Sequence, residues 1–206
     1  SFYEKSRFQG QKAIEQIESM IEDGADIIDI GAVSSAPNSE FVDEEEELRR
    51  VYPIFESIVK SDIAKKCKLS IDTFRGKVAK EALECGFHII NDITALSEHS
   101  LGEAVAKKNA TLVLMHMQGI PKTMQLNPMY EDVVNDVEIF LQERIDLAKT
   151  LGVEYIFLDV GIGFGKNLAH NIALIKHLSH FKKFGYELLI GASSKTMIDK
   201  ISPSKP

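Results

Sequence analysis

The chain has 206 residues, 44% of them apolar and 27% charged, and carries a net charge of −7. That length supports one sizeable domain with a continuous core, and the composition excludes extensive disorder. The negative balance argues against nucleic acid or an anionic membrane as a partner, and no apolar run approaches the roughly 20 residues of a membrane span. Cys67 and Cys85 form no C-x-x-C pair and suggest neither a zinc site nor a disulfide framework. With no signal peptide in view, the expected setting is the reducing cytoplasm.

In chain order, 10–24 reads as a helix, with Ile14, Ile17 and Ile21 on one face and a stop at Gly24. "DIIDIG" (26–31) follows as a strand. The acidic run 43–47 opens a second helix, as a dipole-complementing first turn on a solvated face. Pro53 should bend that helix or reset its start. "KLSID" (68–72) is the next strand. A helix over 74–86 then carries Val78, Ala82 and Leu83 and stops at Gly86. "HIIND" (88–92) and "TLVLMH" (111–116) are strands. The segment 130–152 is a helix facing inward with Val133, Val137, Leu141, Ile145 and Leu147–Ala148. "YIFLD" (155–159) is a strand, 167–185 a helix through Leu168, Ile172, Ile175 and Leu178, and "ELLIG" (187–191) the last strand.

The strands are nearly continuous in Ile, Val and Leu, as expected where both faces of a parallel sheet are covered. Regular strand–helix alternation means α/β. An open doubly wound sheet and a closed barrel both fit. Polar residues gather at the C-terminal end of every strand rather than at one switch point, which favours the barrel. Six visible units, with one more beyond each end, make the expected fold a (β/α)₈ TIM barrel whose first and last strands are absent from this chain. Residues 1–206 form a single domain with no linker.

Asp29, Asp72, Asn91, Asp92, His116, Asp159 and the segment Ser193–Lys195 would then converge on one mouth. A divalent metal needs three or more oxygen or imidazole ligands, and a lysine is a poor neighbour for such a shell. A heterocycle needs a carboxylate facing adjacent N–H donors, with amide and ammonium groups facing ring acceptors, and this set suits it better. Asp72 and Asp159 end strongly apolar strands, where an unpartnered carboxylate would be costly. Asp29 reads as a loop anchor, His116 as a hydrogen-bonded core histidine, and Asp92 equally as turn orienter or site residue.

"LDVGIGFGK" (158–166) is the other marked feature. The dinucleotide pattern G-x-G-x-x-G fails because Lys166 occupies the third glycine position. Walker A fails because Val160 stands where its first glycine belongs and Asn167 follows the lysine. What remains is a flexible turn that lets a flat ligand approach the backbone, with Phe164 as a stacking surface. "GASSKT" (191–196) precedes a plausible helix start and suits either an anion or plain capping.

Taken together, "GADIIDIGAVSSAP", "LSIDTFRGKVAKEALECGFHIIND", "LVLMHMQGIPKTMQ", "FLDVGIGFGKNLAHNIALIKHL" and "GYELLIGASSKT" resemble, in order, the signatures of dihydropteroate synthase. The opening "SFYEKSRF" resembles the loop after that family's first strand, in its Helicobacter-type form. The resemblance implies a (β/α)₈ enzyme of folate synthesis that joins 4-aminobenzoate to dihydropterin-methyl diphosphate and releases pyrophosphate with Mg²⁺. It implies a pterin pocket of Asp72, Asn91, Ile93, Met115, Asp159, Phe164, Gly191 and Lys195, with Asp72 and Lys195 serving catalysis. It implies an aminobenzoate site of Ser35, Pro37, Phe164, Ser193, Lys195 and Thr196. The asparagine that helps hold Mg²⁺ would lie before Ser1, so no metal ligand is expected in this chain. A homodimer is expected, again by resemblance. Two family arginines are replaced, by Ala36 and by Ser194, which implies weaker anionic-substrate affinity and loop closure. With the family's diphosphate-binding Arg-x-His expected after Pro206, this chain is expected to recognise a pterin but to turn over poorly. A pterin-dependent methyltransferase and a non-catalytic pterin-binding homologue are the alternatives.

Overall fold

In a computed structural model of the chain, residues 10–34 and 42–191 are described. The strands fall where the apolar runs lie: β1 (Ile27–Gly31), β2 (Lys68–Asp72), β3 (Ile89–Asp92), β4 (Thr111–Met115), β5 (Tyr155–Asp159) and β6 (Glu187–Leu189). They form one six-stranded sheet in the order β1-β2-β3-β4-β5-β6, and every pairing is parallel. A doubly wound sheet reverses its strand order at a switch point, whereas a barrel wall keeps chain order throughout. The order therefore selects the TIM-barrel architecture, here as a curled run of six strands with helices on its outside.

Helices connect the strands. They are α1 (Gln11–Glu22), α2 (Glu44–Val59), the single turn α3 (Ile63–Lys66), α4 (Gly76–Glu84), α5 (His99–Lys108), α6 (Val133–Thr150) and α7 (Leu168–Lys176). The main core lies between them and the sheet's outer face. Outward strand residues Ile28, Leu69, Ile71, Ile90, Leu112, Leu114, Ile156 and Leu158 meet Ile14 and Ile17 of α1, Val78 and Ala82 of α4, and Val137, Leu141 and Ile145 of α6 in one cluster. The helical spacing of those residues is the reason these segments fold as helices: each stripe has a sheet to cover.

Three expectations change. Pro53 does not reset the start of α2, which runs across it from Asp43, whose side chain accepts from the Glu46 N–H as N-cap. The acidic run is not wholly a solvated face. Glu47 is 1% exposed and ion-paired to Arg75, because one more residue along the helix turns it onto the β2 exit. The segment 167–185 is not one helix. The α-helix ends at Lys176 and a 3₁₀ stretch runs from Leu178 to Phe184, so the buried positions are Asn171, Leu174 and Phe181 while Ile175 faces out. Helix α5 has only a faint signature in the sequence. Leu101 and Val105, four apart, supply its buried stripe, and Asn109 closes it in the left-handed conformation.

Candidate active site

Register decides which side chains share the inner face. Asp72 pairs with Asn91, Asp29 with Ser70, and Met115 with Asp159. Partners in a parallel ladder project to the same side, and alternate residues to opposite sides. Asp29, Asp72, Asn91, Met115 and Asp159 therefore line the inner face at its C-terminal rim. Asp92, one residue past Asn91, must point outward. It is fully buried there and accepts from the Thr94 N–H, the Thr94 hydroxyl and the Leu96 N–H. Asp92 thus orients the β3-exit turn and takes no place in the mouth.

On one side of the rim the acids crowd together. Asn91 Nδ2 donates to Asp29 Oδ2 at 3.0 Å. Burial raises the Asp72 pKa to about 8, with the Asp29 charge adding to it and those of Glu47 and Asp92 adding further. Asp29 is exposed as a residue. Its pKa is raised as well, chiefly by desolvation, with hydrogen bonds from Ser70 and Asn91 opposing. The β2 exit is braced from behind. The Thr73 hydroxyl donates to Glu47 at 2.7 Å, and the Arg75 guanidinium bonds Glu47 and the Val42 carbonyl while lying 4.8 Å from the Phe74 ring centroid.

On the other side stands the glycine turn after β5. Asp159 is 6% exposed, and its Oδ1 accepts from the Gly161 N–H at 2.7 Å. Gly161, Gly163 and Gly165 all have positive φ, at 69°, 81° and 61°. A Cβ on Gly161 would sit 1.8 Å from the His116 carbonyl oxygen, and one on Gly165 2.4 Å from that of Gln118. The glycines thus let the turn pack against the β4-exit backbone. The turn, expected to be flexible, is instead pinned by protein. The Asn171 side chain accepts from the Gly163 N–H, the Tyr130 hydroxyl donates to the Gly165 carbonyl, and Gln125 donates to that of Gly163.

Lys166, which spoils the dinucleotide pattern, is 3% exposed and inserts its ammonium into this turn. It lies 2.8 Å from His116 Nδ1 and 2.9 and 3.0 Å from the carbonyls of Gly161 and Phe164. His116 is the buried, hydrogen-bonded histidine that the sequence suggests. Only the three glycines and the adjacent lysine in "GIGFGK" hint at this, and a buried lysine is not an arrangement that spacing reveals.

Between the two sides lies a second apolar cluster, separate from the main core: Ile93, Met115, Met124 and Phe164, with Phe74 and Met117 packed against it. Three of these are the expected pocket walls. Met124, Phe74 and Met117 escape sequence reasoning, since nothing in their local pattern separates them from ordinary loop residues. Gly191 lies at the end of the described residues, exposed, with nothing within 4 Å of the position a Cβ would take. Ser35, Ala36, Pro37, Ser193, Ser194, Lys195 and Thr196 lie outside the described residues. Among the described residues there is no group of three or more His, Cys, Asp or Glu side chains that could hold a metal. No described helix is long and apolar enough to cross a membrane.

Comparison with known proteins places this arrangement. The family model described as pterin binding enzyme matches residues 1–206. The dihydropteroate synthase of Haemophilus influenzae is 43% identical over 196 residues, 94% of this chain and 70% of its own length. The bifunctional dihydropteroate synthase/dihydropteroate reductase of Helicobacter pylori is 42% identical over 98% of this chain, which spans 53% of that relative. Among solved structures, the Yersinia pestis dihydropteroate synthase in complex with a sulfonamide drug superposes with a TM-score of 0.85 at 40% identity, covering 94% of this chain and 69% of its own. The Xanthomonas albilineans enzyme in complex with 7,8-dihydropteroate gives 0.79 at 35% identity, covering 95% and 69%. Whole-length agreement with one family model, joined to inward Asp72, Asn91 and Asp159 at the ends of β2, β3 and β5, leaves one assignment: the chain belongs to the pterin-binding enzymes, among the dihydropteroate synthases.

Proposed function

We propose that the protein condenses 4-aminobenzoate with (7,8-dihydropterin-6-yl)methyl diphosphate, giving 7,8-dihydropteroate and pyrophosphate, and that the inner rim is where the pterin binds. The solved relatives include complexes with 4-aminobenzoate and with 7,8-dihydropteroate, so both small molecules have precedent in the family. In this chain the observation that carries the reading is Asp159: a nearly buried carboxylate, fixed by the Gly161 N–H, beside the apolar cluster of Met115 and Phe164. A flat ring held between apolar walls presents its N–H and amino donors edge-on, and a fixed carboxylate meets two of them at once.

Asn91 has its Nδ2 turned onto Asp29, which leaves its carbonyl oxygen to accept from a further ring donor. Ile93 and Met115 form one wall and Phe164 the other, while Gly191 and Lys195 complete the carbonyl side of the ring. Ser35, Pro37, Ser193 and Thr196 enclose the aminobenzoate in this reading. The chemistry is dissociative: the C–O bond to diphosphate breaks first, the electron pair leaves with diphosphate, and a resonance-stabilised pterinylmethyl cation remains. The aniline nitrogen, neutral at ordinary pH, attacks and then loses its proton. Asp72 favours the cation. With a pKa near 8 it holds a proton before the cation forms, and positive charge growing beside it draws the carboxyl toward its ionised form.

Mg²⁺ belongs to the expected reaction, but the described residues do not form a site for it, and no step here is routed through it. Mg²⁺ commonly rests on one or two carboxylates together with substrate phosphates, so its seat would depend on bound diphosphate. The homodimer and the cytoplasmic setting are part of the same proposal; sedimentation of the protein tests the first.

The deciding experiment is Asp159→Asn. Replacing one oxygen by an amide removes the charge and turns one acceptor into a donor facing ring donors. Binding of 6-hydroxymethylpterin, measured by calorimetry, should weaken about 50-fold, in line with ~2–3 kcal/mol for hydrogen bonds to a charged group. An unchanged affinity removes Asp159 from the site and with it the pterin reading.

A further inference from the structure

Lys166 and His116 are buried titratable groups that the reaction above does not use. Lys166 Nζ lies 3.2 Å from the His116 carbonyl oxygen, as well as close to the carbonyls of Gly161 and Phe164. Carbonyls only accept, so Nζ donates to them. The same ammonium faces His116 Nδ1 at 2.8 Å, which makes Nδ1 an acceptor and leaves the ring proton on Nε2. Burial, and then the Lys166 charge, hold the His116 pKa down to about 3, so the ring stays neutral. The imidazole is wedged edge-on against Phe140, centroids 4.9 Å apart, with Tyr130 at 6.0 Å.

Two of the three backbone units that Lys166 grips matter directly to the mouth. Gly161 is the residue whose N–H fixes Asp159, and Phe164 belongs to the apolar wall. The β4 strand end is joined to the same point, since the His116 N–H donates to the Asp159 carbonyl at 2.9 Å. One cation therefore ties the exit of β4 to both site residues of the β5 exit. Its ammonium donates into the carbonyls of His116, Gly161 and Phe164 and faces the His116 ring.

We propose that Lys166 and His116 are positioning residues for the pterin, setting Asp159 and Phe164 through the glycine turn without touching the ligand. The proposal rests on the pterin reading above. His116→Asn places an amide oxygen near the position of Nδ1, whereas His116→Leu removes the acceptor and keeps the bulk. Binding of 6-hydroxymethylpterin should stay within about threefold of wild type in His116→Asn and weaken about tenfold or more in His116→Leu. A purely structural role would move the two melting temperatures and leave pterin affinity of the folded protein alike.

Wild-type affinity in folded His116→Leu overturns the proposal, and so does an equal loss in His116→Asn and His116→Leu. Asp159→Asn run beside them separates the two ideas. Full affinity there sinks the pterin reading itself, whereas loss there with full affinity in His116→Leu sinks only the positioning role. Should His116→Leu fail to fold, the ¹⁵N shifts of the wild-type imidazole decide. Nδ1 is expected unprotonated and Nε2 protonated from roughly pH 5 to pH 9, and a protonated Nδ1 in that range overturns the proposal.

Discussion

The two faces of this sheet are built from the same strands and do opposite work. Outward residues such as Leu69, Ile71, Ile90, Leu112 and Leu114 are entirely buried, and all join one core. Inward residues one position away are Ser70, Asp72, Asn91 and Met115, three of them polar, and the apolar patch they border is small and separate. The outer face supplies the stability that the fold needs. The inner face spends part of it on carboxylates crowded at the rim, of which Asp159 is nearly shut off from water. A strand with period-2 side chains can carry both programmes, because successive residues point to opposite faces.

That division can be broken most severely at the point where the inner rim meets the β4 exit. Gly161→Ala would place a methyl group 1.8 Å from the His116 carbonyl oxygen at a φ of 69°. Backbone has to move, and we expect a loss of about 4 kcal/mol or more in chemical denaturation, the range of a strained and overpacked site. A mild effect would show that the turn is not pinned as described. Next in size is an outer-face deletion. Leu112→Ala empties a fully buried site against the helices and should cost about 3 kcal/mol. Pterin affinity of the folded variant should not change, and if it falls with stability the two faces are not independent.

The outer programme is the legible one. All six strands can be read from runs of Ile, Val and Leu, because burial on the helix side demands them, and α1, α4 and α6 can be read from their stripes. Asp72, Asn91 and Asp159 stand out as rim residues because a polar side chain closing an apolar strand is conspicuous. What escapes is whatever depends on contacts between distant segments. Glu47 lies hidden in an acidic run, and only the packing of α2 onto the β2 exit singles it out to meet Arg75 and Thr73. Lys166 looks like an interruption of a glycine pattern, since its partners His116 and Gly161 converge only after β4 and β5 pair. The break after Lys176 has no proline or glycine to announce it. Phe181 is buried from a 3₁₀ stretch whose period differs from that of an α-helix.

The smallest effect is also the one with a sign opposite to the outer-face deletion. Asp72 has its pKa raised by burial and by Asp29, to about 8 in the folded protein. In the unfolded chain its carboxyl titrates near the usual ~4. Between those values the folded state holds a proton that the unfolded state has released, so stability falls as pH rises through this window and levels off above it. Asp72→Asn removes the titration. The variant should match wild type near pH 4 and be more stable near pH 8.5 by ~2 kcal/mol, the full shift being reduced by water that reaches the rim. The same variant should lose turnover with the pterin diphosphate, since no carboxylate is left to ionise beside the forming cation. Denaturation curves at the two pH values read the stability term directly. A stability difference that does not widen with pH would mean that Asp72 is an ordinary carboxylate, and that the inner face costs the fold nothing there.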